Sequence, residues 1–225
     1  MHIQQFAPAL ASVLLLSACS NLSEKGSQRL AAIPEEKRAY IIGAYAVGCE
    51  PTKDGCRQAF NSISTYYRNV EDKDFDSRFQ FISGSVFSSD TVPDYIRTDR
   101  QDKGRYFCVP LPAGRYSVYA YDFYNFAGGG SGYSMKKENH FDLPFSVSEG
   151  EVAYLGTMKM SAATGKNIFG MTLPAPGVLL LSSSPDDAID KALQKCPQHV
   201  RTRPVRNAAL RANGASSYVL ADPLP

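Results

Sequence analysis

Arg105-Tyr106-Phe107-Cys108-Val109, then Pro110-Leu111-Pro112-Ala113-Gly114, then Tyr116-Ser117-Val118-Tyr119-Ala120-Tyr121-Asp122-Phe123-Tyr124 is the stretch that decides the fold. Two runs rich in β-branched and aromatic residues flank a cluster of proline and glycine, which reads as strand, turn, strand. Working outward, the same grammar recurs. Tyr40 to Val47 is an apolar, aromatic run. Ser62 to Arg68 and Arg78 to Phe87 flank the polar turn Glu71 to Asp76. Phe141 to Val147 and Val152 to Met160 are separated by Ser148-Glu149-Gly150-Glu151, and Asn167 to Leu173 and Val178 to Leu181 flank residues 174–177. Strands at this spacing without intervening helices predict an all-β, antiparallel β-sandwich.

One helix is expected at the C-terminal side of the sandwich. Ser184-Pro185-Asp186-Asp187 supplies a cap, a first-turn proline and acidic residues for the helix N-terminus. Ile189, Ala192, Leu193 and Cys196 then share one face, and Pro197 ends the pattern. Beyond it, Lys195, Arg201, Arg203, Arg206 and Arg211 occur with no acidic residue before Asp222. Apolar periodicity is lost there, so residues 198–225 read as a poorly ordered basic tail. The sharper reading of those cations is contact with lipid phosphates or acidic cell-wall groups.

The chain has 225 residues and a net charge of +2, with 13 Tyr, 12 Phe and no Trp. That length suffices for one sizeable core. No basic footprint marks it for nucleic acid. With Cys19 set aside, Cys49, Cys56, Cys108 and Cys196 remain, an even number that fits an oxidising compartment. They allow three pairings. The turn-rich Glu50 to Gly55 favours Cys49 with Cys56, and Cys108 with Cys196 would then link a strand to the helix. The cysteine spacings are not those of paired zinc ligands, so neither metal nor cofactor is expected.

Near the N-terminus, Leu16-Ser17-Ala18-Cys19 closes an apolar run from Ala7 to Ala18. The run falls short of the roughly 20 residues needed to span a bilayer. It resembles the lipobox of bacterial lipoproteins, which implies a signal peptide at 1–18, cleavage before Cys19 and acylation of that cysteine, palmitate included. Ser20 follows, and the lack of Asp there is similar to the pattern of outer-membrane sorting. Residues 19–37 are expected to be a tether, and 38–197 the sandwich domain with its helix.

Leu111-Pro112-Ala113-Gly114-Arg115-Tyr116 and Phe145-Ser146-Val147-Ser148-Glu149-Gly150-Glu151-Val152-Ala153-Tyr154-Leu155-Gly156 resemble stretches of small bacterial sandwich domains of the carboxypeptidase regulatory-like and transthyretin-like kind. The resemblance implies an interaction or structural module and carries over no catalytic residue.

Four features bear on chemistry. Asp72, Asp74 and Asp76 have the alternation of a calcium loop, but Ser77 and Ser83 stand where its glycine and bidentate glutamate would be. Gly128-Gly129-Gly130-Ser131-Gly132-Tyr133 fails the nucleophile-elbow pattern at Tyr133. Asp122, Glu138, His140 and Asp142 are the titratable groups an envelope hydrolase or glycan-active enzyme would draw on. Tyr116, Tyr119, Tyr121, Phe123, Tyr124, Phe126 and Tyr133 form an aromatic cluster, with alternation giving Tyr119, Tyr121 and Phe123 one face and Tyr116, Val118, Ala120 and Tyr124 the other. Burial and a binding platform are the two readings of that second aromatic face. The expectation is a non-catalytic, lipid-anchored envelope module at the outer membrane, facing the periplasm. Its partner would be an envelope protein or the cell-wall polymer. The alternatives are an envelope enzyme or a small-ligand carrier with an apolar pocket between sheets.

Overall fold

A computed structural model describes residues 22–53, 55–58, 61–83, 89–126, 132–135, 141–161, 164–166, 172–174, 177–183, 186–214 and 216–223. In chain order the elements are α1 (Glu24–Ala32), β1 (Ala39–Thr52), β2 (Gly55–Gln58), β3 (Ser62–Asn69), β4 (Asp76–Ile82), β5 (Tyr95–Arg97), β6 (Asp102–Leu111) and β7 (Gly114–Phe126). There follow β8 (Gly132–Met135), β9 (Leu143–Val147), β10 (Val152–Met160), β11 (Thr164–Lys166), β12 (Thr172–Pro174), β13 (Leu179–Ser182), α2 (Asp186–Leu193), β14 (Val205–Asn207) and β15 (Val219–Ala221). The large sheet has the order β15-β13-β10-β1-β6-β5, with β14 also on β10 and β2 on β1. The small sheet has the order β4-β3-β7-β8, with β9 also on β7. β11 and β12 pair with each other.

The mostly-β, two-sheet reading of the sequence holds, but the large sheet is mixed. β1 pairs with β6 antiparallel and with β10 parallel. Every residue of β10 is buried. A strand covered on both faces suits a parallel neighbour, because the long connection back supplies the cover. Ile41, Tyr45, Val47, Ala153, Leu155, Met158 and Met160 face the small sheet. Tyr40, Ile42, Val152 and Tyr154 face the other way, beneath Ala192, Cys196 and Val200. Gly156, at φ +85°, makes the β1–β10 bulge, and a Cβ on Gly43 would lie 2.5 Å from its carbonyl oxygen.

The expected hairpin at residues 110–114 does not form. β6 belongs to the large sheet and β7 to the small one. The favoured two-residue hairpin turns need positive φ at their first central position, which Pro112 cannot adopt. Pro112-Ala113 instead turns the chain from one sheet to the other, and Tyr116 Oη donates to the Pro112 carbonyl at 2.9 Å across the corner. Residues 148–151 likewise join β9 in the small sheet to β10 in the large one. β3 and β4 are a true antiparallel hairpin. The expected pair around 174–177 also resolves differently, since β12 joins β11 and β13 joins β10.

The expected C-terminal helix is α2, docked by its Ala188 and Ala192 and by Cys196 beyond it. Cys196 pairs with Cys108 on β6, their Cα atoms 5.3 Å apart. Cys49 pairs with Cys56 across the β1–β2 hairpin, with a Cα separation of 5.5 Å. A second helix, α1, lies within what reads as a tether. Ser23 caps it through the Gly26 N–H at 2.9 Å, and Leu30 is buried in the main core. One leucine and one close-packed glycine suffice to dock it, too little apolar signal to register as periodicity.

The C-terminal segment is likewise built into the sheet. β14 adds to β10 and β15 to β13 through backbone pairing, which does not require an apolar repeat. The basic residues serve that docking. Arg203 donates to the carbonyls of Glu35, Arg38 and Gly150, each at 3.2 Å. Arg206 binds Glu151 and the Ser146 carbonyl, Arg201 binds the Cys196 carbonyl at 2.9 Å, and Lys195 binds Asp94 at 2.7 Å.

Lys159 on β10 meets Asp222 at 2.8 Å, with side chains 7% and 5% exposed. Lys159→Ala or Asp222→Ala strands a buried charge and is expected to cost about 3–5 kcal/mol in urea unfolding. Lys159→Met with Asp222→Leu should recover most of that loss. Arg206, by hydrogen bonding, holds the Glu151 carboxyl below its ordinary 4.5. That contribution is present above the ordinary value and is lost as pH falls through the lower folded one. Arg206→Gln should therefore flatten the fall of the urea midpoint between about pH 5 and pH 3.

Candidate functional site

Among the described residues, the face of the small sheet turned away from the core carries a connected set of polar and aromatic side chains. Alternation along β3 places Ser62, Ser64, Tyr66 and Arg68 there, and along β4 Asp76, Arg78 and Gln80. Their partners Ile63, Tyr67, Phe79 and Phe81 face inward and are buried.

β7 departs from alternation at Tyr119. Tyr66 pairs with Ala120 and Tyr67 with Val118, so Tyr119 is an extra residue opposite a continuous β3. The bulge changes the parity of the strand. Tyr116 and Val118 before it, and Tyr121 and Phe123 after it, all enter the core between the sheets. Tyr121 and Phe123 therefore do not belong to an exposed aromatic platform. Tyr121 is 0% and Phe123 2% exposed, and the Tyr121 hydroxyl donates to the Gly177 carbonyl at 2.6 Å. Tyr119 is on the outer face but covered. Its hydroxyl donates to Asp76 Oδ2 at 2.9 Å, and the Arg68 guanidinium lies 4.2 Å from its ring centroid. Phe126 and Tyr133 sit on β7 and β8, and their side chains lie outside the described residues.

A second relay runs beside the first. Tyr66 Oη donates to Asp122 Oδ2 at 2.5 Å and accepts from Arg78 at 3.4 Å. Burial, then the hydrogen bond to the partner carboxylate, pushes the pKa of both phenols above the ordinary tyrosine value. They stay protonated at neutral pH and are donors, not nucleophiles. Tyr124 is 43% exposed at the distal part of this face.

Of the titratable groups singled out near the glycine-rich stretch, Asp122 and Asp142 are described, and they are held apart. Asp142 accepts from Ser117, five residues before Asp122 along β7, a span of about 15 Å. Glu138, His140 and residues 128–131 lie outside the described residues, as does Cys19. The acidic turn is spent on α1. Arg29 meets Asp72 at 2.6 Å and Asp74 at 3.3 Å, Lys25 meets Asp74 at 3.3 Å, and Asp76 holds Tyr119. Between the sheets, Tyr45, Tyr67, Phe79, Phe81, Tyr116 and Tyr121 are buried together in one core cluster. Ser62, Ser64, Tyr66 and Arg68, like Asp76, Arg78 and Gln80, were readable as polar positions of period two. The bulge that puts Tyr119 among them left no sequence signal.

No family model and no curated protein matches the chain. Among solved structures it is similar to a leucine-rich repeat protein from Bacteroides thetaiotaomicron, with 12% identity over 57% of this chain and a TM-score of 0.31. The chain spans 14% of that protein's length.

Tyr119→Phe removes a charge-assisted hydrogen bond while keeping the ring, and is expected to lower stability by about 1.5–3 kcal/mol. Tyr124→Ala, on the exposed edge of the same face, should stay within about 0.5 kcal/mol. Urea unfolding of the two variants separates a structural relay from a surface whose side chains are spare.

Proposed function

We propose that the chain is a lipid-anchored module of the bacterial cell envelope. It is held at the outer membrane through Cys19, faces the periplasm, and acts by binding or as a structural element without catalysing a reaction. The observation that carries the reading is the cysteine arithmetic. Cys49 with Cys56 and Cys108 with Cys196 use all four cysteines of the folded body, so Cys19 has no disulfide to complete. It stands in Leu16-Ser17-Ala18-Cys19, where the lipobox resemblance gives it a different role. Two disulfides also suit an oxidising compartment.

The non-catalytic part rests on the polar face of the small sheet. Its carboxylates are engaged by tyrosines, and those phenols are held protonated. A general base or activated nucleophile needs the opposite arrangement. A specific partner would be captured by in-cell cross-linking of the anchored protein, with Cys19→Ala as the mislocalised control.

Metabolic labelling with an alkyne palmitate analogue, followed by separation of membranes, tests the anchor. Label on the wild-type chain and its recovery with outer membranes are expected, with both lost in Cys19→Ser. An unlabelled wild-type chain in the soluble fraction would overturn the reading.

A further inference from the structure

The chain that follows Cys19 is fixed to the body almost at once. Leu22 packs against the main core, so Ser20 and Asn21 alone lie between it and Cys19. Ser23 Oγ donates to the Asp74 carbonyl at 3.1 Å, and Gly26 rests on that same oxygen, which a Cβ would approach to 2.4 Å. Arg29 adds the ion pairs to Asp72 and Asp74 and lies 5.3 Å from the Phe75 ring centroid. Three peptide steps from Cys19 to Leu22 reach about 11 Å when fully extended. The headgroup layer on each side of a bilayer is itself about 5–7 Å thick. An acylated Cys19 therefore leaves the body almost no clearance.

The elements around α1 identify which end that is. α1 packs on the turn Lys73–Phe75. Val70, just before this turn, donates its N–H to the Arg115 carbonyl at 2.9 Å, beside the Pro112-Ala113 crossing. Val70 is 56% exposed. Val92, 76% exposed, lies at the opposite end, where the Thr91 N–H binds the Ile82 carbonyl at the far end of β4. β1 runs toward that distal end for 14 residues, about 45 Å.

We infer that the end of the sandwich formed by the Lys73–Phe75 turn, Val70 and the Pro112-Ala113 crossing seats on the lipid headgroups of the membrane that holds Cys19, with α1 as the latch that fixes this orientation. The inference rests on the proposed acylation of Cys19. The occupant of this face is the bilayer because the chain between the anchor and the latch is too short to place anything else there. The disulfide-closed β1–β2 hairpin is then presented away from the membrane.

The chain has no Trp, so single indoles report without background. Val70→Trp and Val92→Trp are made in the mature chain beginning at Cys19. With the other cysteines paired, the Cys19 thiol is coupled to a maleimide phospholipid in phosphatidylethanolamine–phosphatidylglycerol vesicles containing a dansyl-headgroup lipid. Energy transfer from the indole at position 70 is expected to exceed that from position 92 several-fold. Gly26→Leu, or Arg29→Asp should that variant fail to fold, frees α1 and should collapse the contrast. Equal transfer from the two positions overturns the seating and leaves the anchor reading intact. A contrast unchanged by both latch variants overturns the role of α1. A native chain without acyl groups overturns the anchor, and the seating with it, whatever the coupled protein shows.

Discussion

The pairing of β1 with β10 is the constraint on which the rest of the structure depends. The two strands run parallel at the centre of the large sheet and are buried on both faces. One face supplies Ile41, Tyr45, Leu155 and Met158 to the core shared with the small sheet. The other supplies Tyr40, Ile42, Val152 and Tyr154, which would meet water without a cover. α2 and the residues after it are that cover, and the Cys108–Cys196 bond holds them on it. The far edge of β10 also has to be satisfied along its length. β14 takes its first residues and β13 its last, with Gly156 between the two registers. The C-terminal segment is thus part of the central strand's hydrogen bonding.

The positions of most strands were legible because period-two alternation and turn residues are local properties. Their partners were not, because partnership is decided by long-range burial. Pro112 shows the distinction. Its presence between two β-rich runs reads as a turn, and its fixed φ, properly weighed, argues against a tight hairpin. The parallel β1–β10 pair has no local signature at all. α1 and the C-terminal strands were missed for a related reason. α1 docks through Leu30, Gly26 and ion pairs, and β14 and β15 through backbone, so none of them needs an apolar stripe.

The aromatic run of β7 carried a subtler error. Strict alternation divides its side chains between two faces and makes one of them a spare aromatic surface. The bulge at Tyr119 sends Tyr116 and Val118, then Tyr121 and Phe123, to the same side. Tyr116 and Tyr121, which strict alternation sets on opposite faces, share one core face through a change of parity, and Tyr119 and Tyr124 are left on the outer side. The outer face that results is made of paired groups, Tyr66 with Asp122 and Tyr119 with Asp76, flanked by Arg78 and Arg68. Their mutual satisfaction fixes the small sheet's geometry more directly than it offers a reactive centre.

The two disulfides act at different scales for the same reason. Cys108 and Cys196 are 88 residues apart, and closing that loop in the unfolded chain is worth about 4.5 kcal/mol of chain entropy. Cys49 and Cys56 are 7 residues apart, where the same reasoning gives about 2.5 kcal/mol. Yet the short loop lies where β1 has run past its other partners. β6 pairs with β1 as far as Gly48 and β10 as far as Val47; beyond the Cys49 N–H, which donates to the Gln101 carbonyl at 2.8 Å, β2 is the partner of residues 49–52 among the described strands. A two-stranded ribbon without a covering layer is marginal in water. The Cys49–Cys56 bond supplies locally what packing supplies elsewhere, so the extension of β1 beyond the sandwich keeps a defined shape. β1 is thus held at both of its ends, through the docked α1 beside its start and the disulfide beside its finish.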